Sequence, residues 1–222
     1  PPSPRLRGTE LALRKQIIAV ANAMSASGLS PGKSGNVSAR SDGRILITPT
    51  GVSYADLKPK HLVALDSQGK VVAGALAPSS EWHFNLAIYN QWPDVGAVVH
   101  SHSLYATALA CAHREIPAFH YMVAVAGGDN IRCAPYATFG TQKLAKHALA
   151  ALRGRRACLL ANHGQIALGD TPEKAMAMAI EVETLAAQYT TALQLGQPAL
   201  LPAVEMARVL EKFKTYGQQR PD

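Results

Sequence analysis

The stretch A-V-V-H-S-H-S at residues 97–103 opens as a core strand and closes on two histidines one residue apart. Imidazole rings are costly to bury without partners, so two of them at the end of an apolar run need a reason. Alternation along a strand puts residues i and i+2 on one face. His100 and His102 therefore point the same way at the strand's mouth. That spacing suits two ligands of one metal ion, and it also suits a hydrogen-bonded pair. The stretch A-C-L-L-A at residues 157–161 repeats the arrangement, with N-H-G following at 162–164. His163 thus stands at a second strand exit, and Gly164 lets the backbone turn sharply there. A zinc site needs three or four ligands, and His163 is the third candidate. Glu81, in P-S-S-E-W at 78–82, is the carboxylate that could join them as ligand or general base. It reads equally as a glutamate early in a helix, favoured by the dipole. Trp82 beside it would form a dry wall that raises its pKa. His61, His83, His113, His120 and His147 lack a matching spacing and read as structural.

Around this stretch the chain alternates irregularly between helical and extended patterns. Leu13, Ile17, Val20 and Met24 recur at three- and four-residue spacing, which predicts a helix over 9–27. Strand-like segments follow at 44–48, 61–65 and 70–72, the last two flanking an S-Q-G hairpin signal. Helices are expected from Glu81 to about Trp92, over 103–113 and over 142–152. Asp170-Thr171-Pro172-Glu173 is a strong start for a long helix to about Leu195, with proline in the first turn. Residues 203–216 could form a last short helix. The whole reads as mixed α/β, without internal repeats. Residues 1–8 are expected to be a flexible arm and 9–222 a single domain.

Three stretches could hold an anion. In G-K-S-G-N-V-S at 32–38, glycines free the backbone so that several N–H groups converge. Lys33 could add charge there, and Asn36 side-chain hydrogen bonds. Ser79 and Ser80 stand at a helix N-terminus, which favours phosphate. The turn T-P-T-G at 48–51 supplies a third edge. Three such features in one chain point to a small anionic substrate.

The bulk composition narrows the classes. Hydrophobic residues make up 48% and charged residues 17%, which fits a globular protein rather than a disordered one. No apolar run approaches the ~20 residues that span a bilayer, and the start, P-P-S-P-R-L-R-G, lacks a signal-peptide pattern. A cytoplasmic protein without a membrane partner is expected. The net charge of +7 comes from dispersed residues, so no nucleic-acid partner is expected. Cys111, Cys133 and Cys158 form no C-x-x-C pair and read as small core residues. The dinucleotide fingerprint G-x-G-x-x-G is absent.

These motifs resemble, in order and spacing, the zinc-dependent class II aldolases of the L-fuculose-phosphate aldolase type. The matching pieces include S-G-N-V-S at 34–38, I-T-P-T-G at 47–51, P-S-S-E-W at 78–82 and V-V-H-S-H at 98–102. They continue with I-P-A-F-H-Y-M at 116–122, A-P-Y-A-T-F-G-T at 134–141, N-H-G at 162–164 and V-L-E-K-F-K-T-Y-G at 209–217. The resemblance implies a three-layer α/β sandwich, a central mostly antiparallel sheet flanked by helices. It implies one Zn2+ per subunit on His100, His102 and His163. Glu81 then corresponds to the catalytic glutamate, which binds zinc at rest and moves off when substrate arrives. Gly35, Asn36, Thr50, Gly51, Ser79 and Ser80 correspond to phosphate-binding positions. Tyr121 corresponds to a proposed proton donor that, like Tyr216, reaches a neighbouring subunit's site. Phe139 corresponds to an aromatic on the aldehyde side. The implied assembly is a homotetramer with sites at subunit interfaces. The implied reaction is reversible cleavage of a ketose 1-phosphate, L-fuculose 1-phosphate or a related deoxypentulose 1-phosphate. Its products are dihydroxyacetone phosphate and an aldehyde, formed through a metal-stabilised enediolate. Sugar-phosphate 4-epimerases and methylthioribulose-phosphate dehydratases share these motifs and stay open as alternatives. So does a noncatalytic phosphosugar-binding protein that retains a metal.

Overall fold

The computed structural model describes residues 8–31 and 34–215. Lys33 and Tyr216 lie outside the described residues, as do residues 1–7 of the expected arm. Gly8, assigned to that arm from sequence, is the first residue of helix α1 (Gly8–Ala26).

Eight strands form one sheet: β1 (Asn36–Ser41), β2 (Arg44–Ile47), β3 (Val63–Leu65), β4 (Val71–Ala73), β5 (Ala97–Ser101), β6 (Cys133–Ala134), β7 (Ala157–Leu160) and β8 (Gly164–Gly169). Their order across the sheet is β4-β3-β2-β1-β5-β8-β7-β6. Only β6 and β7 pair in parallel. Five further helices complete the fold: α2 (Trp82–Gln91), α3 (Leu104–Cys111), α4 (Gln142–Leu152), α5 (Pro172–Leu195) and α6 (Ala203–Phe213). Among the described residues, no helix is long and apolar enough to cross a membrane.

The core divides at the sheet. One apolar cluster joins α1, α3, α5 and α6 to one sheet face. A second joins α2 and α4 to the other. The result is the three-layer arrangement with a mostly antiparallel sheet. Strand β5 lies in mid-sheet between β1 and β8. Ala97 and Val99 belong to the first cluster and Val98 to the second. A strand buried on both faces needs apolar residues on both, which explains why 97–99 is unbroken rather than alternating.

Strand β1 has no counterpart in the sequence reading. Its buried residues include Asn36, Ser38 and Ser41, so hydrophobic alternation could not reveal it. Their polarity is matched by partners. Ser38 Oγ donates to Asn85 Oδ1 at 2.6 Å and lies 2.9 Å from the Tyr89 hydroxyl. Arg40 donates to the carbonyls of Tyr89, Trp92 and Val95. Strand β6, two residues long, was also too short to be seen. His61, expected to open a strand, ends a 3₁₀ turn over Pro59–His61 instead. Of the cysteines read as core residues, Cys158 is buried, Cys133 half-buried and Cys111 exposed.

Arg14 ties α1 to the loop before β3. It is 3% exposed, donates to Glu10 Oε1 at 2.7 Å, and caps the carbonyls of Pro59 and Leu62 at 2.8 and 2.9 Å. Removing Arg14 orphans the two carbonyl acceptors and leaves the Glu10 carboxylate with Arg44 alone, 3.2 Å away. Arg14→Ala is expected to lower stability by about 3 kcal/mol, read as a lower urea midpoint with the slope unchanged.

Candidate active site

The end of β5, the turn before β8 and the start of α2 meet at one point. Strand pairing sets two of these: His100 is opposite Ile166 of β8, and Asn36 of β1 is opposite His100 on the other side. His100 lies on the same face as Val98, toward α2, where Phe84 meets its ring edge-on. His163 sits in the tight β7–β8 turn, after Asn162 in the left-handed region at φ 54°. Glu81 occupies the N-cap position of α2, not its first turn as the sequence suggested, and its carboxylate makes no capping bond. Instead, Glu81 N–H donates to Ser79 Oγ at 3.3 Å, and the carboxylate is free to face the histidines.

All four groups converge. Glu81 Oε2 is 3.0 Å from His100 Nε2, and Oε1 is 2.8 Å from His163 Nε2. His102 Nε2 is 3.0 Å from His100 Nε2. One donor atom from each of Glu81, His100, His102 and His163 lies within 4.8 Å of the others. The donor chemistry fits a divalent metal ion. His100 Nδ1 lies 2.8 Å from the Gln165 carbonyl, an oxygen that can only accept. Nδ1 therefore carries the proton, and in neutral His100 the Nε2 lone pair faces a carboxylate and a second imidazole. A cation shared among these groups removes that repulsion, and an imidazole oriented through its other nitrogen is the usual form of a metal-ligating histidine.

The electrostatics follow from crowding. Burial acts to raise the Glu81 pKa, but the charge and hydrogen bond of His100, with those of His163, outweigh it and hold the carboxyl well below its ordinary range. The dry wall expected from Trp82 does not form. Trp82 stacks on His83 at 3.9 Å and packs over Gly69 instead. Burial lowers the His100 pKa, yet its pairing with Glu81 raises it overall. His102 is pushed down to about 4 by burial and by the neighbouring His100 and His163.

A cavity of 420 Å³ opens beside the cluster. Glu81, His102 and His163 line it at one side, and Gly35, Thr50, Gly51, Ser79 and Ser80 also face it. Phe139 lines it too, together with Tyr136 and Asn162, which the sequence reading did not select. Asn36 and His100 lie behind the wall, with no exposed surface. Asn36 Oδ1 accepts from Asn85 Nδ2 at 3.0 Å, while Asn36 Nδ2 is buried without a partner. Asn85 Nδ2 also donates to the Glu81 carbonyl at 3.2 Å, so one amide links both sides of the site. Nothing in the sequence singled out Asn85, because a helical asparagine has no motif around it. Tyr121 begins a 3₁₀ turn over Tyr121–Ala126, is 46% exposed, and does not line this chain's cavity.

Gly35 is required by shape. Its φ is +83°, and a Cβ there would lie 2.5 Å from the His100 carbonyl and 2.7 Å from Ser30 Oγ. Gly35→Ala combines left-handed strain with a backbone clash and is expected to destabilise by at least ~2 kcal/mol. The clash displaces the strand that carries His100. Thermal melting together with metal content checks this, and both should fall.

The match to known proteins covers this whole assembly. Residues 15–190 match the family model for the class II aldolase and adducin N-terminal domain, and the chain belongs to the class II aldolase family. A 5-methylthioribulose-1-phosphate/5-deoxyribulose-1-phosphate aldolase of Rhodospirillum rubrum is 54% identical over 210 residues, 95% of each chain. An L-fuculose phosphate aldolase of Escherichia coli is 50% identical over 206 residues, 92% of this chain and 95% of that one. Among solved structures, an L-fuculose 1-phosphate aldolase superposes with a TM-score of 0.89 at 39% identity, covering 93% of this chain and all of the other.

Proposed function

We propose that this class II aldolase reversibly cleaves a ketose 1-phosphate, L-fuculose 1-phosphate or a related deoxypentulose 1-phosphate, into dihydroxyacetone phosphate and an aldehyde. One observation carries the reading. A carboxylate held among three imidazoles shares a 420 Å³ cavity with a cradle of small and hydroxyl-bearing residues. The names of the relatives support the same substrate class, and those relatives divide between five- and six-carbon ketose phosphates.

In this reading His100, His102 and His163 hold one zinc ion per subunit, with Glu81 as its resting partner. When bound, the ion supplies Lewis-acid stabilisation of negative charge developing on substrate oxygens. Gly35, Asn36, Thr50, Gly51, Ser79 and Ser80 bind the phosphate. The unpartnered Asn36 Nδ2 supports that role, since a buried donor without an acceptor calls for a ligand. Holding the phosphate places the reacting carbon before Glu81, converting an encounter into a fixed geometry. Glu81 takes the carbon-bound proton in the condensation direction and returns it in cleavage. Tyr121 of a neighbouring subunit donates a proton at the aldehyde oxygen. Phe139 and a neighbour's Tyr216 flank the aldehyde. The exposure of Tyr121 away from its own cavity supports a homotetramer with shared sites. The described residues, Gly8 included, act as one domain in a cytoplasmic enzyme.

The test is to incubate metal-loaded protein with dihydroxyacetone phosphate and a panel of aldehydes and to look for condensation. Ketose 1-phosphate products are expected. An epimerised or dehydrated sugar phosphate without aldehyde exchange would move the enzyme to another branch of its family. Phosphosugar binding without turnover would leave a noncatalytic protein.

A further inference from the structure

Among the described residues, only Asp42, His113 and Asn162 adopt positive φ without being glycine. Asp42 sits in an ordinary turn before Gly43. The other two are partners. His113 Nε2 is 2.5 Å from Asn162 Oδ1. Their backbone N–H groups both donate to one carbonyl, that of Ala110, at 3.1 Å each. His113 occupies the left-handed position after the end of α3, where Arg114 N–H bonds back to the Leu109 carbonyl. Glycine is the unstrained residue at such a helix end. A histidine there, at φ 52°, holds a strained backbone, and its side chain makes the contact that glycine would lack. Strain of this kind clusters at functional sites.

The pairing fixes the direction of the Asn162 amide. Its oxygen can only accept, so His113 Nε2 donates to it. The amide nitrogen then points away from His113, and Asn162 is exposed, with no partner for that nitrogen among the described residues. Asn162 lines the cavity together with His163, Tyr136 and Phe139.

We propose that Asn162 is a specificity-determining residue whose amide N–H donates to the hydroxyl on the carbon next to the aldehyde group, and that His113 is the positioning residue that aims it. The proposal rests on the aldolase reading above and deepens it. It assigns the site a polar contact for a 2-hydroxyaldehyde beside two aromatic residues of the cavity lining, Tyr136 and Phe139.

The experiment compares lactaldehyde with propanal, the same chain without the hydroxyl, in condensation with dihydroxyacetone phosphate. The proteins are wild type, Asn162→Gly, Asn162→Asp and His113→Gly, all metal-loaded. Glycine suits both backbone positions, so those variants fold, which melting curves and bound metal per chain verify. Wild type is expected to favour lactaldehyde about tenfold in kcat/KM, the scale of one hydrogen bond. That ratio should fall to near one in Asn162→Gly and in Asn162→Asp, which keeps the His113 bond but presents an acceptor. It should fall part of the way in His113→Gly, chiefly through a higher KM for lactaldehyde. A wild type without preference, or an Asn162→Gly variant with the wild-type ratio, overturns the proposal. A wild type that condenses neither aldehyde overturns the aldolase reading itself, and this proposal with it.

Discussion

Replacing Glu81 by glutamine is expected to slow exchange of the carbon-bound hydrogen of dihydroxyacetone phosphate by about 100- to 10,000-fold. Bound metal should stay close to its wild-type level. Glutamine keeps the size and the hydrogen-bonding reach of the side chain, so the packing of α2's first turn is retained. It cannot take up a proton. The three imidazoles remain, which is why metal and rate are expected to separate. The His100 and His163 contacts hold the Glu81 carboxyl below its ordinary range against the opposing effect of its burial, so the group faces the cavity as a carboxylate rather than an acid. Its N-cap position matters as well. The carboxylate makes no capping bond there, and Glu81 lines the cavity. Deuterium uptake into dihydroxyacetone phosphate, followed by NMR, reads the rate, and elemental analysis reads the metal. Exchange at the native rate in Glu81→Gln removes the residue as the base.

Much of this site was legible because its chemistry sits at strand ends. His100 and His102 announce themselves by breaking an apolar run, and His163 by repeating that break after β7. The three-layer architecture followed from the family motifs, whereas the residues by themselves gave only a mixed α/β chain. What stayed hidden was polar matter facing inward. Ser38 and Asn36 look like loop residues in sequence, yet the pair of amides at Asn36 and Asn85 and the hydroxyls of Ser38 and Tyr89 make β1 a buried strand. Periodicity records hydrophobicity, and it cannot register a polar residue whose partner lies 47 or more positions away. His113 was hidden for another reason. Its sequence context gives no spacing to any ligand, and its side-chain bond to Asn162 joins positions 49 residues apart. Ser101, between the two histidines, points toward the opposite helix layer, where its hydroxyl is buried without a partner. The structure supplies no role for it.

Removing His100 is expected to have the largest effect on metal. Of the three imidazoles it is the central one: fully buried, and 3.0 Å from both the Glu81 carboxylate and His102 Nε2. It is also the one whose orientation is fixed from behind, by the Gln165 carbonyl at 2.8 Å. Loss of an outer partner of a metal ligand typically lowers affinity about 10- to 100-fold, so loss of the ligand itself should exceed a hundredfold. His100→Ala should therefore emerge from dialysis against a mild chelator with little metal, and the aldol reaction should be lost with it. The fold should suffer as well. The Gln165 carbonyl loses its donor in a dry interior, at a cost of about 1–3 kcal/mol, and Glu81 loses one of its two imidazole partners. His102→Ala, which leaves that carbonyl bonded, should lose metal with a smaller loss of stability. His147→Ala is the matched comparison, since His147 is half-buried and bonded to the Pro135 carbonyl at 2.9 Å, away from the cluster. It should keep both metal and stability. Elemental analysis of the three dialysed proteins decides the assignment: full metal occupancy in His100→Ala or His102→Ala would mean that the converging imidazoles serve the strand ends and not an ion.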